Sequence, residues 1–312
     1  VGPRSDRSLR SAPRPLLGLQ SKPSSGSLSI ALVQMRCSPK PGENLKKAVS
    51  RIGEAARRGA GLVCLPELFR TRYFCQAEDP AAFDLAETVP GPTTDALAHA
   101  AKRHRVAVIG SVFERRAAGI HHNTAVAIDA TGRIASVYRK MHIPDDPRFY
   151  EKYYFVPGDL GVPVAALGGA SVSVLVCWDQ WFPEAARLAA LAGAQVLLYP
   201  TAIGWHREDP AALRAAQADA WRTIQRAHAI ANGVFVASVN RVGVEGDLEF
   251  WGGSFVSDPF GRVLAESGAS GEALLLARLD LAEIDRTRRL WPFLRDRRID
   301  AYGGLLRRHG SP

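Results

Sequence analysis

Sulfur is scarce in this chain. Among 312 residues there are two methionines and four cysteines, Cys37, Cys64, Cys75 and Cys177. The cysteine spacing matches no zinc motif, and His121, His122 and His142 do not complete one, so no metal centre is expected. Cys37, Cys64 and Cys177 sit in or beside apolar, strand-like runs, which favours reduced thiols over disulfides and a cytoplasmic location. No glycine-rich phosphate loop is present, no repeat of solenoid length, and no apolar run near the roughly 20 residues that cross a bilayer. Residues 1–27 are rich in Ser, Pro, Arg and Gly, lack the apolar centre of a secretory signal, and are expected to form a disordered extension. These shortages point to a soluble protein with no membrane partner.

The charge has its own uneven distribution. The net charge is +9, of which residues 1–30 supply +4 and residues 285–312 supply +5, so the rest of the chain is neutral overall. The basic excess lies in two terminal segments, and because charged tails are most often simply solvated, nucleic-acid binding is not expected.

At 46% apolar residues, the chain is long enough for one large α/β domain. Strands are predicted at 28–35, 61–66, 106–114, 122–129, 133–139, 172–177, 195–200, 234–240, 252–257, 262–266 and 272–279. Helices are predicted at 42–59, 93–104, 183–192 and 213–232, the last closed by Gly233 as a C-cap. Ala130-Thr-Gly132 reads as a hairpin turn. Alternating helices and strands with added hairpins favour a layered α/β arrangement. The expected division is an extension at 1–27, a catalytic domain at 28–285 and a C-terminal arm at 286–312.

Three strand ends carry reactive groups. Ser171-Val-Ser-Val-Leu-Val-Cys177 closes on a thiol just before Pro183, which suits the first turn of a helix, and amide N–H groups at such a turn can hold an anion. Leu62-Val-Cys-Leu-Pro66-Glu67 ends on a carboxylate, and Ser136-Val-Tyr-Arg139-Lys140 on an ammonium. Together they suit acyl transfer: Glu67 takes the thiol proton and later activates water, Lys140 stabilises the oxyanion, and Cys177 attacks the carbonyl carbon. Taken singly, each has a plainer reading: a packed cysteine, or a solvated or structurally paired Glu67 and Lys140.

Leu65-Pro-Glu67-Leu-Phe69, Tyr138-Arg-Lys140-Met-His142 and Leu175-Val-Cys177-Trp-Asp-Gln-Trp-Phe-Pro183 resemble the Glu, Lys and Cys motifs of the nitrilase superfamily. The likeness runs from about residue 28 to 300. It implies a four-layer α-β-β-α sandwich of the nitrilase type, thiol-dependent hydrolysis of a non-peptide carbon–nitrogen bond with no cofactor, and homodimer-based assembly. The segment His142-Ile-Pro-Asp145-Asp146 to Gly158 resembles the N-carbamoyl amidohydrolases. With Cys177-Trp-Asp-Gln-Trp181 and Thr201-Ala-Ile-Gly204, it is most similar to the branch that acts on N-carbamoylputrescine. By that likeness Glu151 is a second active-site carboxylate, positioning Lys140 and a small ureido substrate.

Substrate choice stays open at this level. A cationic tail calls for a carboxylate, from Asp145, Asp146, Glu184, Glu208 or Asp209, whereas an N-carbamoyl amino acid calls for a cation such as Arg207. His142 is a further candidate for the binding site, and Tyr73, Trp178, Trp181 and Phe182 would supply walls, although aromatics after a strand are also ordinary core. A nitrilase, an aliphatic amidase, and a basic-tailed interaction protein on an inactive hydrolase fold are the other readings.

Overall fold

The structure, a computed structural model, describes residues 26–310, so the extension expected at 1–27 lies outside the described residues except for its last two positions. Leu28, Ile30 and Leu32 alternate with Ala31 and Val33, and a strand buried on both faces needs apolar residues at both parities. That segment is β1 (Ser27–Gln34), followed by α1 (Pro41–Arg57), β2 (Leu62–Cys64), α2 (Pro92–His104), β3 (Ala107–Ala117), β4 (Ile120–Ile128) and β5 (Ile134–Arg139). Pro41 and Pro92 open their helices where an N–H would have no helical partner. A short α3 (Glu151–Tyr154) leads to β6 (Ala165–Leu167), β7 (Ala170–Val174), α4 (Pro183–Leu191), β8 (Val196–Thr201), β9 (Gly204–His206) and α5 (Ala211–Asn232). The chain continues through β10 (Phe235–Asn240), β11 (Val242–Glu245), β12 (Leu248–Trp251), β13 (Phe255–Ser257), β14 (Val263–Glu266), β15 (Ala273–Asp280) and α6 (Ala282–Leu290).

Two six-stranded sheets form, ordered β15-β1-β2-β3-β4-β5 and β14-β13-β10-β8-β7-β6, with a separate ribbon β11-β12-β9. Leu28, Ile30, Leu32, Leu62, Cys64 and Ile109 share one buried cluster with Val172, Val196 and Leu198 of the second sheet, and with Ala185 and Ala189 of α4 and Ala229 of α5. The opposite parity, Ala31, Val33, Val63 and Val108, packs with Ala48 and Ile52 of α1 and Leu97 and Ala101 of α2. Helix, sheet, sheet and helix therefore stack in the expected four-layer sandwich.

Strand direction gathers the site. β1, β2 and β3 are parallel, as are β7, β8 and β10. Two antiparallel steps through β4 bring β5 back into the direction of β3. Glu67, Lys140, Cys177 and Ala202 thus follow the carboxyl ends of β2, β5, β7 and β8, the edge where open α/β sheets bind ligands.

The structure departs from the predicted elements around residues 204–251. β12 pairs with both β11 and β9 across stretches not read as strands, because these strands are too short to show a local pattern and β9 meets β12 only across some forty residues. The strand expected at 172–177 ends at Val174, since Cys177 has left extended geometry with φ of 44°. Helix α6 runs across the division expected at residue 285.

Candidate active site

Glu67 follows Pro66 directly beyond β2, and the next residue, Leu68, is left-handed with φ of 46°. That turn points the carboxylate inward, where it is fully buried. Glu67 Oε1 accepts hydrogen bonds from Asn123 Nδ2 at 2.7 Å and Lys140 Nζ at 2.9 Å, and Oε2 accepts from the Ala202 N–H at 2.9 Å. Lys140, also at 0% exposure, donates to Glu151 Oε2 at 2.7 Å, and the Tyr73 hydroxyl donates to Glu151 Oε1 at 2.7 Å. The result is a buried chain Tyr73–Glu151–Lys140–Glu67. One cation between two carboxylates satisfies each of them, which a lone buried charge could not achieve.

The electrostatics follow from that order. Burial alone would drive Lys140 toward neutrality, but the attraction of Glu151 and Glu67 holds its ammonium well above the usual lysine value. Burial pushes Glu151 up to about 7 against the pull of Lys140. Burial likewise drives the Cys177 thiol well above its ordinary value, reinforced by Glu67 and opposed by Lys140. A thiol in this state attacks only if its proton is taken as it reacts, which requires an adjacent base.

Cys177 stands at the head of a short turn (Cys177–Trp181), 5% exposed, with Sγ 3.9 Å from the Ala202 carbonyl oxygen. Ala202 therefore meets the thiol through its carbonyl and Glu67 through its N–H. Asp179, fully buried, holds the turn: Oδ2 accepts from the Val176 N–H at 2.8 Å and the Tyr138 hydroxyl at 2.6 Å, and Oδ1 from the His142 N–H at 3.0 Å, with His142 Nδ1 at 2.7 Å. Tyr138 and His142 flank Lys140 in sequence, so one carboxylate ties the lysine strand to the cysteine turn.

A cavity of about 340 Å³ opens onto this group, lined by Pro144, Asp146, Phe149, Glu151, Cys177, Trp178, Trp181, Ala202, Ile203, Gly204, His206, Gln217, Ala220 and Trp251. Of the residues singled out from the sequence, Asp146, Glu151, Cys177, Trp178 and Trp181 line it. Tyr73 lies behind Glu151. His142 is occupied with Asp179 and stacks on Phe182 at 3.8 Å between ring centroids. Asp145 is exposed outside the lining, and Glu184 is exposed in the first turn of α4. Arg207 and Glu208 belong to a polar depression with Arg148, His206 and Asp247. Asn123 and Asp179 were not assigned roles from sequence, because Asn123 meets Glu67 across 56 positions and Asp179, besides nearby Val176, meets Tyr138 and His142 across 41 and 37. No group of side chains able to hold a metal ion occurs among the described residues.

The carbon-nitrogen hydrolase family model matches residues 29–289. The chain belongs to the carbon-nitrogen hydrolase family. A tomato (Solanum lycopersicum) N-carbamoylputrescine amidase is 40% identical over 293 residues, covering 91% of this chain and 96% of the relative. A Francisella tularensis citrullinase is 39% identical over 288 residues, with coverages of 91% and 99%. A carbon-nitrogen hydrolase structure from Helicobacter pylori G27 superposes with a TM-score of 0.89 at 43% identity, covering 91% of this chain and all of that one. The nitrilase-type sandwich and an amide-hydrolysing activity are therefore properties of this carbon-nitrogen hydrolase.

Proposed function

We propose that this hydrolase removes the carbamoyl group from an N-carbamoyl amine with a cationic tail, N-carbamoylputrescine in the first place, through Glu67, Lys140 and Cys177. The observation that carries the reading is the lining of the cavity. Among the described residues that line it, Asp146 is the one carboxylate beyond Glu151, and there is no arginine or lysine. Trp178, Trp181 and Trp251 offer apolar walls for a methylene chain, and half-buried Asp146, whose carboxyl burial pushes up, gains from a cation brought beside it. The N-carbamoylputrescine amidases among the relatives agree with this choice.

In the mechanism, Glu67 removes the Cys177 proton as sulfur attacks the ureido carbon, while Lys140 and the backbone N–H of Trp178 stabilise the oxyanion. One amine leaves with a proton, giving a carbamoyl thioester. Glu67 then activates water, the thioester carbon–sulfur bond breaks, the thiol regains its proton, and the carbamate falls apart into carbon dioxide and the second amine. Glu151 keeps Lys140 charged and in place. The same reading takes the enzyme to be a homo-oligomer working in a reducing compartment. The C-terminal segment exposes Leu290, Ile299 and Leu306, and all four cysteines are free and buried.

The test compares N-carbamoylputrescine with N-butylurea, which has the same carbon chain and no ammonium. The charged substrate is expected to show a lower KM, and Asp146→Asn to remove that preference by about 10-fold or more, the worth of one charged hydrogen bond. Equal KM values for both substrates in the wild type, or a preference that survives in Asp146→Asn, would refute the tail assignment.

A further inference from the structure

The loop that carries Glu67 is gripped from behind by an ion pair that the mechanism above does not use. Arg241, in the turn between β10 and β11, is fully buried, and Glu245 at the end of β11 is 2% exposed. Arg241 Nη1 donates to Glu245 Oε1 at 3.1 Å and Oε2 at 3.0 Å, and to the Thr71 carbonyl at 3.2 Å. Nη2 donates to the carbonyls of Glu67 at 2.8 Å and Leu68 at 3.0 Å. Glu245 Oε2 in turn accepts the Tyr73 N–H at 2.7 Å. The guanidinium also lies over the Phe250 ring, 5.2 Å from its centroid.

We propose that Arg241 and Glu245 are positioning residues that set both carboxylates flanking Lys140. The inference rests on Glu67 acting as the base. Arg241 fixes the carbonyls on either side of the left-handed turn at Leu68, a conformation that a leucine holds only when its surroundings impose it. Glu245 fixes the backbone of Tyr73, whose hydroxyl orients Glu151. A planar fork that serves three carbonyls and a carboxylate at once is a task for arginine, which lysine performs only in part. Buried ion pairs are weak evidence for stability, and apolar pairs of similar volume commonly replace them without loss of fold, so removing both partners together separates positioning from the cost of a lone buried charge.

The experiment reads turnover of N-carbamoylputrescine and the rate of Cys177 alkylation by iodoacetamide, mapped by peptide mass, in Glu67→Gln, Arg241→Lys and the double variant Arg241→Met with Glu245→Leu, which leaves no lone buried charge. The double variant is expected to keep a wild-type near-ultraviolet circular dichroism spectrum while kcat falls about 100-fold, the cost of misplacing a reacting group by about 1 Å. KM should change little, alkylation should slow in step with kcat, and Arg241→Lys should fall between. Slow alkylation in Glu67→Gln with wild-type kcat and alkylation in the double variant overturns the inference alone. Wild-type alkylation in Glu67→Gln overturns the base assignment, and the inference with it. If the double variant does not fold, Arg241→Lys decides by the same two readouts, and activity loss that tracks loss of fold in every variant overturns the inference.

Discussion

Replacing Lys140 by methionine keeps the volume of the side chain and removes the one cation between two buried carboxylates. Glu67 and Glu151 are both fully buried, and Lys140 Nζ lies 2.9 Å and 2.7 Å from them. Breaking a buried pair by deleting one partner costs about 3–5 kcal/mol, because the charge left behind has no compensation. The cost should depend on pH, and its sign follows from Glu151. Burial already raises its carboxyl to about 7 in the presence of Lys140, and without the ammonium it must rise further. A raised carboxyl means that the folded state binds the extra proton, so stability is retained below the ordinary carboxylate range and lost as pH climbs through the raised value, by about 1.4 kcal/mol per pH unit for each proton held. Urea denaturation of wild type and Lys140→Met at pH 5 and pH 8 should give a small difference at pH 5 and most of the 3–5 kcal/mol at pH 8. An equal loss at both values, or a larger one at pH 5, would refute the account of a cation holding two buried carboxylates.

Two further substitutions probe how the segments around Lys140 and Cys177 are held. At Gly158, whose N–H donates to the Lys140 carbonyl at 2.8 Å, a Cβ would come within 1.9 Å of the Arg139 carbonyl oxygen. Gly158→Ala must therefore displace the lysine strand, and steady-state kinetics should show kcat reduced by about 100-fold in a folded protein; unchanged kcat would contradict this. Asp179→Asn presents an N–H₂ group to donors that now share a carboxylate, and should destabilise the fold by about 1.5–3 kcal/mol for each charged hydrogen bond not remade, measured by thermal unfolding. A variant as stable as wild type would show that the tie between Tyr138, His142 and Val176 contributes little.

The reactive groups were legible because each ends an apolar run. A run of strand-like residues that leads to Glu67, Lys140 or Cys177 announces a side chain held near a sheet edge, and the motifs around them supplied the order of the three. The layered arrangement was legible in the alternation of helices and strands, and the number of layers came from the resemblance to the nitrilase superfamily; that both parities of β1 and β2 are apolar is the physical reason both faces are covered. What holds the reactive groups was not legible. Asn123 reaches Glu67 across 56 positions and Arg241 reaches its carbonyl across 174, and no local pattern encodes either meeting. The ribbon β11-β12-β9 escaped notice because its strands are three or four residues long and find their partners only in the folded chain. Asp145 and Asp146 show the limit most directly. Adjacent carboxylates are equivalent in sequence, yet one is exposed outside the cavity and the other lines it.

If the Cys177 thiol hydrolyses an N-carbamoyl amine, removing the thiol must abolish turnover. Ammonia release from N-carbamoylputrescine and N-carbamoyl-β-alanine, measured side by side for wild type and Cys177→Ala, tests it most directly. Turnover should favour the putrescine derivative and disappear in Cys177→Ala. Turnover that persists without the thiol, or no turnover of either compound by the wild type, would contradict it.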